Sequence, residues 1–339
     1  MHNSIEVISK LKTYNIHFIN NFNDIIKLCN SNNVITFIDE NVYKIYSEFN
    51  SISNSHIITC TEKIKSYDGS NDIINILIQS KANINTKLVV IGGGILQDLV
   101  GFCASIYCRG IEYILIPTTL LSMADSCIGG KTSLNYMSRK NILGTFYPPT
   151  NIFINTLFIN SLSRLDLISG MGEIYKFHIL QNNINNFNFK ENLDLMIYSG
   201  LKYKIDILSR DEFDKGERKY LNFGHTFGHA LETTSKNKLP HGIAVIIGCM
   251  IAIQISKFHN YIVPEYDNII SKGLELIKES GIEIKKEWFD FDLLLEIIKS
   301  DKKSTGKLTM VLINNSPVIT DIENTIILKQ ILNETYKII

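Results

Sequence analysis

Short β-branched runs that alternate with helical patterns constrain the first half of this chain more than any other feature. Val34-Ile35-Thr36-Phe37-Ile38, His56 to Cys60, Leu88-Val89-Val90-Ile91 and Tyr113-Ile114-Leu115-Ile116 read as strands. Their alternation with helical segments predicts a largely parallel sheet flanked by helices. The third run leads into Gly92-Gly93-Gly94-Ile95-Leu96-Gln97-Asp98 and an apolar helix through Tyr107. Strand, glycine turn and helix start form a phosphate cradle, because glycines let backbone N–H groups approach an anion at the positive end of a helix. The triple glycine is not the GxGxxG fingerprint and is weak on its own.

Other residues gather at the same carboxyl edge, where ligands collect in open α/β sheets. Asp39 follows the first strand, placed either to hold a ribose or to make an ordinary Asp turn. Thr118 and Thr119 follow the Tyr113 strand, and Glu62 and Lys65 lie in a polar loop. A glycine-containing loop from Ala124 to Lys131, continued by Arg139-Lys140-Asn141, holds Asp125, Lys131, Lys140 and Asn141. Two lysines and an amide suit a phosphate-bearing ligand, although surface loops also carry lysines.

Near Phe158 strands give way to helical periods, which predicts an α/β domain over 1–158 and a mainly α-helical domain over 159–339. Glu173 and Lys176 stand one turn apart, as a surface ion pair or part of a site. Arg218, Asn222, His225 and His229 are spaced four, three and four apart, so a helix would project all of them from one face. Leu221, Phe223 and Phe227 flank that stripe and argue against a solvated one. The i, i+4 spacing of His225 and His229 lets two imidazoles share a metal, without showing that both do. His241 opens the apolar helix Gly242 to Ile255. A carboxylate and two imidazoles from three segments would leave an open coordination position, as in catalytic zinc sites.

Lys plus Arg equals Asp plus Glu at 34 each, so no global field favours nucleic acid or an acidic membrane. The expected partner is a small molecule. Cys29, Cys60, Cys103, Cys108, Cys127 and Cys249 form no CxxC pair and read as reduced core filler in a cytoplasmic setting. The start, Met-His-Asn-Ser-Ile-Glu, lacks the pattern of a signal peptide, and the apolar run Gly242 to Ala252 is too short to span a bilayer.

Together these segments resemble the sugar-phosphate cyclases, and within them the 3-dehydroquinate synthase family of the shikimate pathway. The resemblance covers most of the chain. It is carried by Gly92-Gly93-Gly94 with Asp98, Tyr107-Cys108-Arg109-Gly110, Pro117-Thr118-Thr119-Leu120-Leu121, Asp125-Ser126-Cys127-Ile128-Gly129-Gly130-Lys131 and Lys140-Asn141. In the second half it is carried by Gly172-Glu173-Ile174-Tyr175-Lys176, Leu221-Asn222-Phe223-Gly224-His225-Thr226-Phe227-Gly228-His229 and His241-Gly242.

The resemblance implies a Rossmann-like NAD-binding domain, a helical metal-binding domain and a homodimer. It implies Zn2+ or Co2+ held by Glu173, His225 and His241, with His229 turned to the substrate phosphate instead. NAD is expected at Asp39, Glu62, Lys65, Gly92, Gly93, Gly94, Ile95, Asp98, Thr118, Thr119, Lys131, Lys140, Phe158 and Ser161. Phosphate is expected at Lys131, Asn141 and His229, with Arg109 reaching from the other subunit and Lys302 or Lys303 joining. Arg218 and Lys204 match positions that hold a substrate carboxylate, while His229, Lys176, Asn222, Asp125 and Lys131 are the expected catalytic residues.

The implied substrate is 3-deoxy-D-arabino-heptulosonate 7-phosphate. Its C5 hydroxyl is oxidised, phosphate leaves by β-elimination, the ketone is reduced again, and ring opening with aldol closure gives 3-dehydroquinate. Two departures stand out: Ile243 replaces the family's common glutamate two residues after the second metal histidine, and Asp214 replaces another glutamate. Sibling cyclases such as 2-deoxy-scyllo-inosose synthase or amino-dehydroquinate synthase, and the iron-type alcohol dehydrogenases, are the alternative readings. A non-enzymatic metal- or nucleotide-binding descendant is a third.

Overall fold

The computed structural model describes residues 4–137, 139–188, 193–301, 308–322 and 325–339. Two compact units divide the chain, Met1–Leu162 and Ser163–Ile339.

In the first unit the strands are β1 (Ser4–Val7), β2 (Tyr14–Phe18), β3 (Val34–Asp39), β4 (Ser55–Ile58), β5 (Lys87–Gly92), β6 (Glu112–Pro117), β7 (Lys131–Tyr136), β8 (Arg139–Phe146) and β9 (Asn151–Ile154). The helices are α1 (Asn23–Cys29), α2 (Glu40–Ile45), α3 (Tyr67–Gln79) and α4 (Gly94–Ile106). Seven strands join one sheet in the order β1-β2-β9-β6-β5-β3-β4, parallel throughout except for β1 against β2. β3, β5 and β6 are buried almost end to end, as strands covered on both faces must be. Edge strand β1 instead alternates exposed and buried residues.

The run β4-β3-β5-β6-β9 has the 2-1-3-4-5 order of flavodoxin-like sheets, whose switch point lies between the first and third strands. Here those strands are β3 and β5, so Asp39 and Gly92 mark that crevice. Lys131, Lys140 and Asn141 lie on a two-stranded antiparallel hairpin, β7 with β8, where the sequence suggested a loop. Gly129 and Gly130, at φ 99° and 63°, make the turn that the glycines announced. The strand after it alternates between its two faces, with Thr132 and Leu134 buried.

The second unit is built from α5 (Arg164–Leu180), α6 (Leu193–Arg210), α7 (His225–Thr234), α8 (His241–Phe258), α9 (Tyr266–Ser280), α10 (Phe291–Asp301), the hairpin β10 (Leu308–Asn314) with β11 (Ser316–Ile322), and α11 (Thr325–Ile338). Its core helix is α8, apolar on all sides and buried from Gly242 to Ile253. Among the described helices it is the one long and apolar enough to cross a membrane, and 78% of it is buried inside the protein.

Arg218 to His229 do not form one helix. Glu217–Asn222 is a 3-10 turn, the chain breaks at Gly224 with φ 78°, and α7 starts at His225. Gly224 takes the left-handed conformation there, and a Cβ on it would lie 2.8 Å from the Cys249 backbone nitrogen of α8.

Glycines also set the helix crossings on α8. A Cβ on Gly172 of α5 would fall 2.2 Å from the Gly242 carbonyl oxygen, and one on Gly248 would fall 2.0 Å from that of Gly224. Backbone rests on backbone at both places. Gly172→Ala is expected to push α5 off α8 and to destabilise the protein by about 2 kcal/mol or more, the upper range for overpacking. An unchanged thermal midpoint would show that the crossing yields freely.

Candidate functional site

Three segments of the second unit meet at Glu173, which is fully buried. The His241 Nε2 lies 3.3 Å and the His225 Nε2 3.5 Å from its Oε1, and the Lys176 ammonium touches Oε2. Neither carboxylate oxygen accepts a hydrogen bond of ordinary geometry despite these neighbours. Of the two readings of Glu173 and Lys176, the surface ion pair falls away: the pair is buried, because α5 is enclosed from Ile168 to Leu180.

The second nitrogen of each ring is committed. His225 Nδ1–H donates to the Phe223 carbonyl at 3.1 Å, and His241 Nδ1–H donates to Glu232 Oε2 at 2.9 Å. Both Nε2 atoms thus face the carboxylate, with their tautomers fixed from behind. Burial alone would raise the Glu173 carboxyl, but Lys176, His225 and His241 together hold it well below the usual carboxylate range. Burial, then Lys176, pushes His225 well below the ordinary imidazole value. Burial opposes charge on His241 too, yet Glu173 and Glu232 outweigh it and raise the ring to about 10. Glu173, His225 and His241 offer ligand atoms within 4.8 Å of one another, an O, N, N set suited to a divalent metal.

His229 stands beside this group rather than in it. Its ring centroid is 5.1 Å from that of His225 and 5.7 Å from that of His241, and its side chain is exposed. It belongs to a second possible ligand group with Glu232 and His241. Lys204 and Arg218 are 6% and 4% exposed, two cations held largely out of water. Arg218 is anchored through the Glu212 carbonyl. Asp211 accepts the backbone N–H groups of Lys215, Gly216 and Arg218, closing the loop before it. Asn222 is exposed, and Lys302 and Lys303 lie outside the described residues.

In the first unit Asp39 Oδ1 caps α2 through Asn41 and Val42. None of Gly92, Gly93 and Gly94 has a positive φ, so close approach and not conformation demands glycine there. A Cβ on Gly92 would meet Leu96 at 2.8 Å, and one on Gly93 would meet Thr119 at 3.1 Å. Gly93 precedes α4 without a side-chain cap, which leaves first-turn N–H groups for a ligand. Ile95 lies in that first turn, and Thr118 is buried with its N–H on the Gly92 carbonyl.

Lys65, 7% exposed, reaches Asp98 at 2.5 Å and Asn141 Oδ1 at 2.6 Å, and Ser133 Oγ donates to Asp98 at 3.0 Å. Burial raises the Asp98 carboxyl against the pull of Lys65 and Ser133. Glu62 joins through Asn135, at 2.8 Å. Lys131 shares a small cavity with Gly94, Asp98 and Ser126, while Lys140 is exposed on β8 and Asp125 lies in the π-helical turn Ser122–Ser126. The Phe158 ring is buried against Phe22, Tyr46 and Phe49, and Tyr46 OH donates to Ser161 Oγ at 2.8 Å.

Family models decide the kinship. The chain matches the 3-dehydroquinate synthase N-terminal model over residues 55–169 and the C-terminal model over 170–304. The chain belongs to the 3-dehydroquinate synthase family. The 3-dehydroquinate synthase of Clostridium tetani is 36% identical over 85% of this chain and 81% of its own length. That of Picrophilus torridus is 40% identical over 84% and 85%.

Among solved structures, 2-deoxy-scyllo-inosose synthase complexed with carbaglucose-6-phosphate, NAD+ and Co2+ superposes with a TM-score of 0.82 at 24% identity, covering 97% of this chain and 99% of that one. ValA, the 2-epi-5-epi-valiolone synthase of Streptomyces hygroscopicus with NAD+ and Zn2+ bound, gives 0.83 at 21%, with the same coverage. An iron-containing alcohol dehydrogenase gives 0.60 at 14%, covering 95% and 97%. At these identities the likeness is one of fold.

For a member of the 3-dehydroquinate synthase family, Glu232, Ser133 and Asp211 are the contacts that reading the sequence missed. Glu232 alone had a signal: it lies seven residues past His225, two helical turns along the same face. Lys65→Met should lower unfolding stability in urea by about 2 kcal/mol, since it strands a mostly buried carboxylate. The exposed pair Lys12–Glu112, 3.4 Å apart, provides the control. Equal effects from Lys65→Met and Lys12→Met would show that the buried network contributes nothing.

Proposed function

We propose that this chain is a 3-dehydroquinate synthase, converting 3-deoxy-D-arabino-heptulosonate 7-phosphate to 3-dehydroquinate and phosphate, a carbon–oxygen lyase of the shikimate pathway that serves aromatic amino acid and chorismate biosynthesis. The observation that carries the reading is the family match, continuous from residue 55 to residue 304 and so spanning both units. Buried Lys204 and Arg218 favour it over a cyclase whose substrate lacks a carboxylate, because an ammonium and a guanidinium fork suit that anion.

Glu173, His225 and His241 would hold a divalent metal, zinc or cobalt, and the glycine turn at the β3/β5 switch point with Asp39, Lys65 and Asp98 would hold NAD. When bound, NAD takes up and returns the substrate hydride, and the metal lowers the pKa of the hydroxyl to be oxidised. Lys176, fixed against Glu173, keeps that carboxylate ionised. Arg218 and Lys204 bind the substrate carboxylate, and Lys131, Asn141 and His229 bind the phosphate. Asp125 and Asn222 complete the catalytic set. Holding both anionic ends selects one substrate conformer through several chemical steps.

Asn141 suits that role, since its side-chain oxygen accepts from Lys65 and its amide nitrogen is left to donate. The reading extends to a cytoplasmic homodimer in which Arg109 reaches the other chain's phosphate. Arg109 is exposed and stands in a turn where Cys108, Arg109 and Gly110 all have positive φ.

Phosphate release from the heptulosonate phosphate should require NAD and stop when a chelator removes metal. Stoichiometric NADH would instead favour an alcohol dehydrogenase, and faster turnover of glucose 6-phosphate would favour a sibling cyclase. Arg218→Ala should lower kcat/KM several tens-fold, because losing a charge-assisted hydrogen bond costs about 2–3 kcal/mol. A carboxylate-free substrate, already poor for the wild type, should lose little further in that variant.

A further inference from the structure

His241 is the most solvent-exposed of the three candidate ligands, its side chain 31% exposed against 14% for His225 and 1% for Glu173. It also sits in the first turn of α8, where the chain has just left a loop. A ring in that position needs something behind it to fix its rotation and tautomer. The sequence pattern of the family would look for a carboxylate at residue 243, but Ile243 is fully buried in the α8 core and has no polar atom to offer.

The structure assigns that task to Glu232: its carboxylate, on the last turns of α7, accepts the Nδ1–H of His241 at 2.9 Å and so positions the ring with Nε2 toward Glu173 and the metal. The inference rests on the reading of Glu173, His225 and His241 as a metal site. Glu232 is a positioning residue, not a ligand of that ion, because its oxygen occupies the far side of the imidazole from Glu173. His225 is oriented differently, by the neutral carbonyl of Phe223. The carboxylate behind His241 makes that imidazole the more basic donor of the two, and loss of such outer partners commonly weakens metal affinity about 10- to 100-fold. Ile243 is then no sign of a degraded site, since the carboxylate comes from a neighbouring helix.

Zinc stripped from the full-length protein and titrated back against a chromogenic chelator tests this. Glu232→Gln keeps an oxygen acceptor and the volume but loses the charge, and Glu232→Ala loses both. Affinity should fall about 10- to 100-fold from wild type to alanine, with glutamine between them, at one ion per chain throughout. Cobalt in place of zinc should show a displaced d–d absorption band in the glutamine variant. If the alanine variant does not fold, the near-isosteric glutamine variant decides alone.

Wild-type affinity and an unaltered cobalt spectrum in Glu232→Gln overturn the inference and leave the metal site standing, provided His225→Ala still abolishes binding. Two ions in the wild type and one in the variants also overturn it, making Glu232 a ligand of a second ion with His229. Absence of metal binding in the wild type instead removes the underlying reading.

Discussion

Contact of backbone with backbone along α8 is the constraint on which the second unit depends. Gly172 lies against Gly242, and Gly248 lies against Gly224. The first contact brings α5 close enough for Glu173, the next residue, to face His241 across the crossing. The second holds α7 by its first turn and so fixes His225. Three side chains from three helices converge because two interhelical distances are set by atoms that cannot be compressed. A longer side chain at either crossing would move a ligand by more than metal geometry tolerates.

That convergence carries an electrostatic cost. A fully buried carboxylate loses its hydration, and desolvation is the largest influence on Glu173. Lys176 offsets part of it from one side, and the two imidazoles face it from the other. The rings are themselves held by acceptors behind them, so the site is a chain of charges in which each orients the next. The first unit solves a similar problem differently. Lys65, Asp98, Ser133 and Asn141 form a closed polar network that ties the hairpin β7–β8 to the start of α4. Its members are spread from residue 65 to residue 141, and only the packing of the hairpin on the helix joins them.

Much of the molecule was legible in the chain. β3, β5 and β6 appear within a residue or two of the runs that announced them, because a doubly covered parallel strand must be apolar almost throughout. The glycine turn before α4 was read correctly as a turn that admits close approach, and the structure adds that Leu96, Thr119 and Ser126 crowd Gly92 to Gly94. The supposed single helical face from Arg218 to His229 was a misreading of spacing. Four polar residues at helical intervals need no helix between them, and Gly224 ends one turn and begins another. The cysteines were only partly core filler, since Cys108 is exposed and Cys60 half-buried.

The sequence by itself determined the α/β character of the first unit, the helical character of the second and the family, since strand composition, helical period and ordered motifs are local properties. Tertiary structure decided what depends on distance through space. It settled that Glu173 and Lys176 form a buried pair, that His225 and His241 but not His229 face Glu173, and that the carboxylate behind His241 comes from Glu232. None of these is a property of any segment alone. Each follows from how closely two backbones approach, a quantity fixed by packing and invisible to periodicity.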